Sequence, residues 1–334
     1  MSALNSSRFF FVLSGAFLLL AALFVGSLLA GRVWIPLSEI LGFSAAPDSD
    51  LRRMIVTELR LPRAILACMV GAVLGLSGAV LQGLTRNPLA EPGLLGVSSG
   101  AALGSVIAIY FGWTAMFAAA APLMGLMGAA GAAALTFALG RGGGTIALIL
   151  AGAAVAGLTS ALISLALNLA PSPYAAYEIM TWLMGSLADR SWDHVLLVAP
   201  FIAAGCLLLA FTARGLDALT LGEAQAQSLG VNLKVLRLLV LAGTALGVGA
   251  ATSVTGAIGF VGLVAPHLVR PFVGHQPSRV LFPSALLGAV LLLAADIGAR
   301  LIHIGPEMKL GVFTSLLGTP FFFWLVVRLR KTAP

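Results

Sequence analysis

Residues 62–82 read PRAILACMVGAVLGLSGAVLQ, and beyond Arg63 in the first turn the run carries no charge. About twenty apolar residues in a helix cover the ~30 Å of hydrocarbon in a bilayer. Working outward, runs of similar character recur at roughly 9–30, 93–111, 115–139, 145–169, 193–212, 236–254, 258–272, 281–301 and 309–328. With the quoted stretch they make ten, the eighth being short and rich in glycine. The sequence therefore predicts an all-α polytopic membrane protein of about ten transmembrane helices.

Composition points the same way. Of 334 residues, 60% are hydrophobic and 9% charged, where a soluble domain carries about a quarter charged residues. A soluble globule and a disordered chain are both excluded, the latter because disordered chains are poor in apolar residues. Much of the glycine, 39 residues in all, falls inside the apolar runs. Small residues let helix backbones approach in lipid, where no hydrophobic force drives association, so a tight bundle is expected. Cys68 and Cys206 lie inside apolar runs and suggest neither a disulfide framework nor a metal cluster. The first run, Arg8 to Ala30, is too long for a signal-peptide core and lacks a clear cleavage site, so it reads as a retained helix. No low-complexity linker divides residues 1–334, which read as a single transmembrane domain.

Orientation follows from lysine and arginine. With the N-terminus inside, eleven positive residues face the cytoplasm and eight the outside. Among acidic residues, Glu91, Asp217 and Glu223 fall inside and nine outside. Ten spans then place both termini in the cytoplasm. Three hydrophilic segments stand out. Residues 31–61 form an external loop with a short amphipathic piece at Ile35 to Phe43. Residues 170–192 form a second external segment with a helix-like stretch, Tyr177 to Leu187. Residues 213–235 form the longest internal loop. Span two descends from outside and span seven rises from inside, so spans 2–5 and 7–10 form an inverted repeat, an arrangement that puts a pathway at the repeat interface.

A series of motifs runs through the chain. Arg60-Leu61-Pro62-Arg63 opens span two, followed by Ser77-Gly78, Gln82, Arg86-Asn87-Pro88-Leu89-Ala90-Glu91-Pro92 and Leu95-Gly96. Trp182-Leu183-Met184-Gly185-Ser186-Leu187, Leu221-Gly222-Glu223 and Ser228-Leu229-Gly230 come next. Then come Gly259 to His267 with Arg270, Ala295-Asp296 with Arg300, and Gly318-Thr319-Pro320-Phe321-Phe322. In this order, over nearly the whole chain, the series resembles the FecCD family of binding-protein-dependent permeases. The family brings iron-siderophores, haem and cobalamin across the bacterial inner membrane. The resemblance implies a permease subunit of an ATP-binding-cassette importer working by alternating access. Its implied partners are a second copy of the chain, two ATP-binding subunits inside and a periplasmic substrate-binding protein outside, with lipid around it and no nucleic acid.

The internal loop is the most mechanistic feature. Ala218 to Val231 reads as a short amphipathic helix with Leu219, Leu221, Ala224, Ala226 and Leu229. Such a helix fits a partner's groove, and a solvated loop with some helicity is the plainer reading of the same residues. The resemblance implies a coupling helix with Leu221, Gly222, Glu223, Ser228, Leu229 and Gly230 at the ATPase contact. The chain contains no GxxxxGK[ST] phosphate loop. If ATP drives transport, ATP and Mg belong to a separate ATPase, and this subunit has no cofactor and no catalytic residue.

Arg60 and Arg63 lie one turn apart at the outer end of span two, and Arg300 at the outer end of span nine. They could snorkel to headgroups, or pair bidentately with carboxylates. The resemblance implies docking of acidic residues on the binding protein. Asn87-Pro88-Leu89 is a helix-ending turn by its residues, and the resemblance makes Asn87 and Leu89 part of the cytoplasmic gate. Thr159, Ser160, Ser164 and Asn168 give span five a mildly polar stripe, open to helix–helix bonding or pathway lining alike. His267 reads as structural, and Asp296 and Arg300 as an intrahelical ion pair.

The sequence also speaks against two other function classes. An ion-coupled secondary transporter would keep ionisable groups at mid-membrane, and the span centres lack Asp, Glu, Lys and Arg. A membrane enzyme would need paired carboxylates, a metal cluster or a nucleophile with its base, and none falls within the spans.

Overall fold

The computed structural model describes residues 2–31, 33–40, 49–302 and 307–332. Ten long helices organise it: α1 (Ser2–Leu29), α2 (Leu61–Thr85), α3 (Val97–Tyr110), α4 (Ala120–Gly140), α5 (Gly144–Asn168), α6 (Trp192–Ala210), α7 (Leu233–Thr255), α8 (Val261–Val273), α9 (Pro277–Leu301) and α10 (Leu310–Thr332). Each expected span falls on one of them, and the described residues contain no strand. Seven are long and apolar enough to cross a bilayer, while α3, α8 and the apolar part of α10 are shorter. Below, inner and outer name the two ends by the orientation that the charges imply.

The tightest helix pair is α2 on α9, and glycine makes it possible. A β-carbon on Gly71 would lie 2.4 Å from the Gly288 carbonyl oxygen, and one on Gly75 would lie 2.1 Å from that of Ser284. The spacing is small-xxx-small on both helices, the pattern that lets backbones touch in lipid. Further along α2, a β-carbon on Gly78 would lie 1.9 Å from the Gly262 oxygen of α8. The packing follows the inverted repeat: α2 contacts α8 and α9, and its counterpart α7 contacts α3 and α4.

The second helix of each repeat is short. α3 has 14 residues and α8 has 13, about 20 Å each and too little to cross the hydrocarbon. Both open on a left-handed residue, Gly96 at φ 73° and Phe260 at φ 68°. Gly262 touches α2 at Leu74 and Gly78 and also meets Pro92. Gly78 lies seven residues, about 10 Å, from the inner end of α2 at Thr85. The irregular segments before α3 and α8 therefore lie inside the membrane, where non-helical backbone survives only against protein or a cavity. Glu91 adjoins Pro92 and is half-buried.

The second external segment forms a helix at Pro173–Leu183, with Ser172 Oγ capping the Ala175 N–H at 3.1 Å. Its exit tucks inward: the Ser186 N–H donates to the Thr255 oxygen at 2.7 Å, and the Gly311 N–H to the Gly185 oxygen at 3.3 Å. Tyr177 is exposed and does not pack there. In the first external loop a helix spans Leu37–Ile40; positions 41–43 of the expected amphipathic piece lie outside the described residues.

Candidate functional site

At the outer end, Arg60, Arg63, Arg300 and Arg190 line one cavity of about 530 Å³ together with Asp189 and Glu307. The first three neither snorkel nor stand free. Arg60 is 8% and Arg300 9% exposed. Arg60 donates from Nη1 to the oxygens of Leu28 and Leu29, both at 2.8 Å, and from Nη2 to that of Val33 at 2.6 Å. Arg300 donates from Nη1 to the oxygens of Ser27 (3.0 Å) and Ala30 (3.1 Å), and from Nη2 to Ser27 Oγ at 2.5 Å. All of these carbonyls but that of Val33 belong to the last turn of α1 and the residue after it, groups that a helix leaves without intrahelical donors. Two arginines thus cap α1.

Arg63 grips Asp296 bidentately, Nε to Oδ1 at 2.9 Å and Nη2 to Oδ1 at 2.7 Å, and its Nη2 also meets Glu307. Asp296 is fully buried and takes Arg300 Nη2 at 3.0 Å on Oδ2. The intrahelical pair read from the sequence is therefore one of two ion pairs that Asp296 makes. Arg190 closes the far side of the cavity. Burial pulls its basicity below the ordinary arginine value against the opposing pull of Asp189, and its Nε is buried without a hydrogen-bond partner.

At the inner end the expected single helix from Ala218 to Val231 is two, Ala213–Leu219 and Glu223–Ser228. The break is Gly222, whose φ of 113° no other residue adopts without strain. Gly230 (φ 86°) ends the second helix: its N–H donates to the Gln227 oxygen at 2.9 Å, and the Val231 N–H to that of Ala226 at 3.0 Å. That is the Schellman pattern, which favours glycine at this position. The apolar residues split between two faces. Leu219 and Ala226 are buried, while Leu221 (63%) and Leu229 (64%) point outward with Ala224. Ser228 spends its hydroxyl on the Ala224 oxygen at 3.1 Å.

Glu223 ties this segment to the bundle. Its Oε1 accepts from Thr145 Oγ1 at 2.7 Å, and both carboxylate oxygens accept from Arg237 Nη2 at 3.0 Å. The Thr145 hydroxyl, then Arg237, hold Glu223 below the usual carboxylate range against the opposing effect of burial. A depressed acid stabilises above its unfolded pKa, and the contribution goes as pH falls through its folded value. The tether should therefore survive mild acidification to about pH 5. Faster hydrogen exchange at Glu223–Ser228 between neutrality and about pH 5 would contradict this. Because the pair is partly exposed, Glu223→Gln should speed that exchange at neutral pH by less than about tenfold.

The gate candidates sit at the inner end of α2. Arg86 turns left-handed at φ 51°. Asn87 Oδ1 then accepts the Leu89 N–H at 2.9 Å and Asn87 O the Ala90 N–H at 3.2 Å, an Asx turn. Asn87 is exposed and Leu89 half-buried. A cavity of about 720 Å³ runs from Arg86 and Pro88 of this turn to Thr220 beside Leu221, so the Asn87 turn and the 213–235 segment border one space. On α5 the polar set divides. Ser160, Ser164 and Asn168 are exposed on one face. Thr159 is buried, donates to the Val155 oxygen at 2.9 Å and borders a separate cavity of about 350 Å³ beside Leu158 and Leu162. His267 packs edge-on against Phe321 at 5.6 Å.

The sequence model of the FecCD transport family matches residues 19–328. The chain belongs to the FecCD transport family. The haemin transport system permease protein HmuU of Yersinia pestis is 39% identical over 288 residues, 85% of this chain and 86% of its own. The vitamin B12 import system permease protein BtuC of Klebsiella pneumoniae is 38% identical over 320 residues, 95% and 94% of the two chains. A solved metal-chelate type ABC transporter in an inward-facing conformation matches at TM-score 0.83 and 34% identity, over 95% of this chain and 99% of that one. As a FecCD protein the chain is the membrane-spanning permease subunit of an ABC importer. It works with ATPase subunits, which hydrolyse the ATP, and with a substrate-binding protein. An ion-coupled transporter finds no support. Within this FecCD chain the sequence reading missed Ser27, Glu307 and Arg190. The single signal for Glu307 is an acid among the outer-end positive charges.

Proposed function

We propose that this permease carries an iron chelate, siderophore or haem, or cobalamin across the bacterial inner membrane as one of two identical copies around a central path. The cargo class is supported by the haemin and vitamin B12 relatives and the metal-chelate neighbour. The Glu223 end and both termini face the cytoplasm, and residues 1–334 act as a single domain with a coupling segment at 213–235. ATP and Mg reside on the ATPase. The pairing of two copies is supported by Ser160, Ser164 and Asn168, a polar stripe left exposed on a membrane helix. Lipid is a poor neighbour for it, whereas a path or a second copy suits it. The mass of the detergent-purified complex tests this, and a single permease copy would refute it.

The observation that carries the mechanism is the outward pair Leu221 and Leu229 on a segment sharing a cavity with the gate turn. ATP-driven closure of two ATPases moves these segments, and the movement reaches Asn87 and Leu89 through Thr220 and the cavity wall. Leu221→Glu with Leu229→Glu should leave the permease folded, since both side chains are exposed, and weaken ATPase association about 100-fold or more, as for buried interface anchors. Normal co-purification and normal uptake in proteoliposomes would sink the assignment. Outside, the cluster of Arg63, Arg60 and Arg300 receives acidic side chains of the binding protein, with Arg63 as the contact and the other two supplying field. Counting Arg190, four guanidiniums against the carboxylates of Asp189, Asp296 and Glu307 leave one positive charge to steer an acidic partner.

A further inference from the structure

The two carboxylates on Arg63 differ in standing. Asp296 is fully buried and shared with Arg300. Glu307 is 32% exposed and has its one ion pair among the described residues with Arg63. Arg60 and Arg300 are committed to the carbonyls that end α1. Arg63 is thus the guanidinium of the cluster with a partner that can leave, and its Nη1 makes no hydrogen bond among the described residues. We propose that Glu307 is a resident stand-in for the binding protein's carboxylate, so that docking is a carboxylate exchange on Arg63.

The inference rests on the docking reading above and adds its regulation. Exchange keeps Arg63 paired throughout, so no buried guanidinium is stripped of its counter-charge, the costly event for a desolvated ion. The cavity of about 530 Å³ has room for an incoming side chain beside Glu307. The displaced residue is well placed to report the event. Glu307 stands three residues before α10, whose Gly311 is bonded to Gly185 and whose Gly318 lies against Phe260. Phe260 opens α8 inside the membrane. Release of Glu307 frees the start of a helix that touches both the outer segment and the mid-membrane break.

The test measures binding of the transporter's substrate-binding protein to the permease–ATPase complex in nanodiscs. Glu307→Gln keeps the size and an acceptor for Arg63 but removes the competing charge. It should tighten binding about five-fold, the size of a surface ion pair, and speed association at low salt. Arg63→Gln should weaken binding at least about tenfold, as truncation of a charge pair does. If that variant does not purify, Arg63→Lys, which keeps the charge and loses the fork, replaces it. Hydrogen exchange at Leu310 to Thr314 should rise on docking in the wild type and already be raised in Glu307→Gln. Unchanged or weaker binding by Glu307→Gln, with Arg63 variants still impaired, overturns the exchange and leaves the docking reading standing. Unchanged binding by the Arg63 variants in a complex that melts like wild type overturns the docking reading itself.

Discussion

Gly75→Ala is expected to destroy the folded permease, although it adds one methyl group to a helix that would otherwise welcome alanine. The new β-carbon would sit 2.1 Å from the Ser284 carbonyl oxygen and 2.9 Å from its carbon. Both are backbone atoms of α9, so no rotamer change relieves the clash. The helices must part, and the neighbouring Gly71–Gly288 contact, with a would-be separation of 2.4 Å, parts with them. In lipid no hydrophobic gain offsets the lost packing. Overpacking a well-fitted core costs ~1–3 kcal/mol where side chains yield, and more where backbone must move. Gly131→Ala on α4 is the control, because nothing lies within 4 Å of its added carbon. It should be neutral, or stabilising by up to about 1 kcal/mol through helix propensity. Thermal unfolding in detergent reads both, and a Gly75→Ala protein that melts like the wild type would show that α2 and α9 do not meet at this glycine.

That contact marks where legibility stops. The run 62–82 announces a membrane helix because hydrophobic length is a local property. It does not announce which face meets α9, because a helix apolar all round has no amphipathic signal to read. The eighth run was already short in the sequence, but the shortness of α3 was hidden for a related reason. Residues 93–111 read as one span, yet a 3₁₀ turn at Pro92–Leu95 and the left-handed Gly96 precede α3. Hydropathy does not distinguish apolar coil from apolar helix. The coupling segment shows the opposite case. Its place and its polar character were local and legible, and so was Gly222. What Gly222 does, splitting one amphipathic stretch so that Leu221 and Leu229 turn outward, depends on burial of Leu219 and Ala226 against the bundle. At the outer end the i,i+4 pair Asp296–Arg300 was readable because a helix sets that spacing. The bond from Asp296 to Arg63 joins residues 233 positions apart, and no local pattern announces it.

Asp296→Asn should cost more than any single arginine change around it. Asp296 is fully buried and holds Arg63 by two nitrogens and Arg300 by one. Without its charge both guanidiniums stay in a desolvated site with Glu307, at the edge, as the remaining carboxylate bonded to either. Removing one partner of a buried ion pair costs ~3–5 kcal/mol, because the other charge is left uncompensated. Arg63→Gln is milder, since Asp296 keeps Arg300 at 3.0 Å and the carboxylate that loses its ion pair, Glu307, is part-exposed at the edge. The same geometry revises what charge reversal does here. Turning Arg60, Arg63 and Arg300 to Glu would remove the donors to Ser27, Leu28, Leu29 and Ala30 that close α1. It would also crowd three new carboxylates around Asp296. The outer end would unfold before any docking could be measured, so Glu307, the part-exposed partner of Arg63, is the better probe of the partner. Melting temperatures of Asp296→Asn, Arg63→Gln and the double variant decide the matter. A shared hub requires Asp296→Asn to be the worse single change and the double to be far less than additive, because the two remove one interaction between them. If Arg63→Gln costs as much as Asp296→Asn, Asp296 serves Arg63 alone and Arg300 is held by α1.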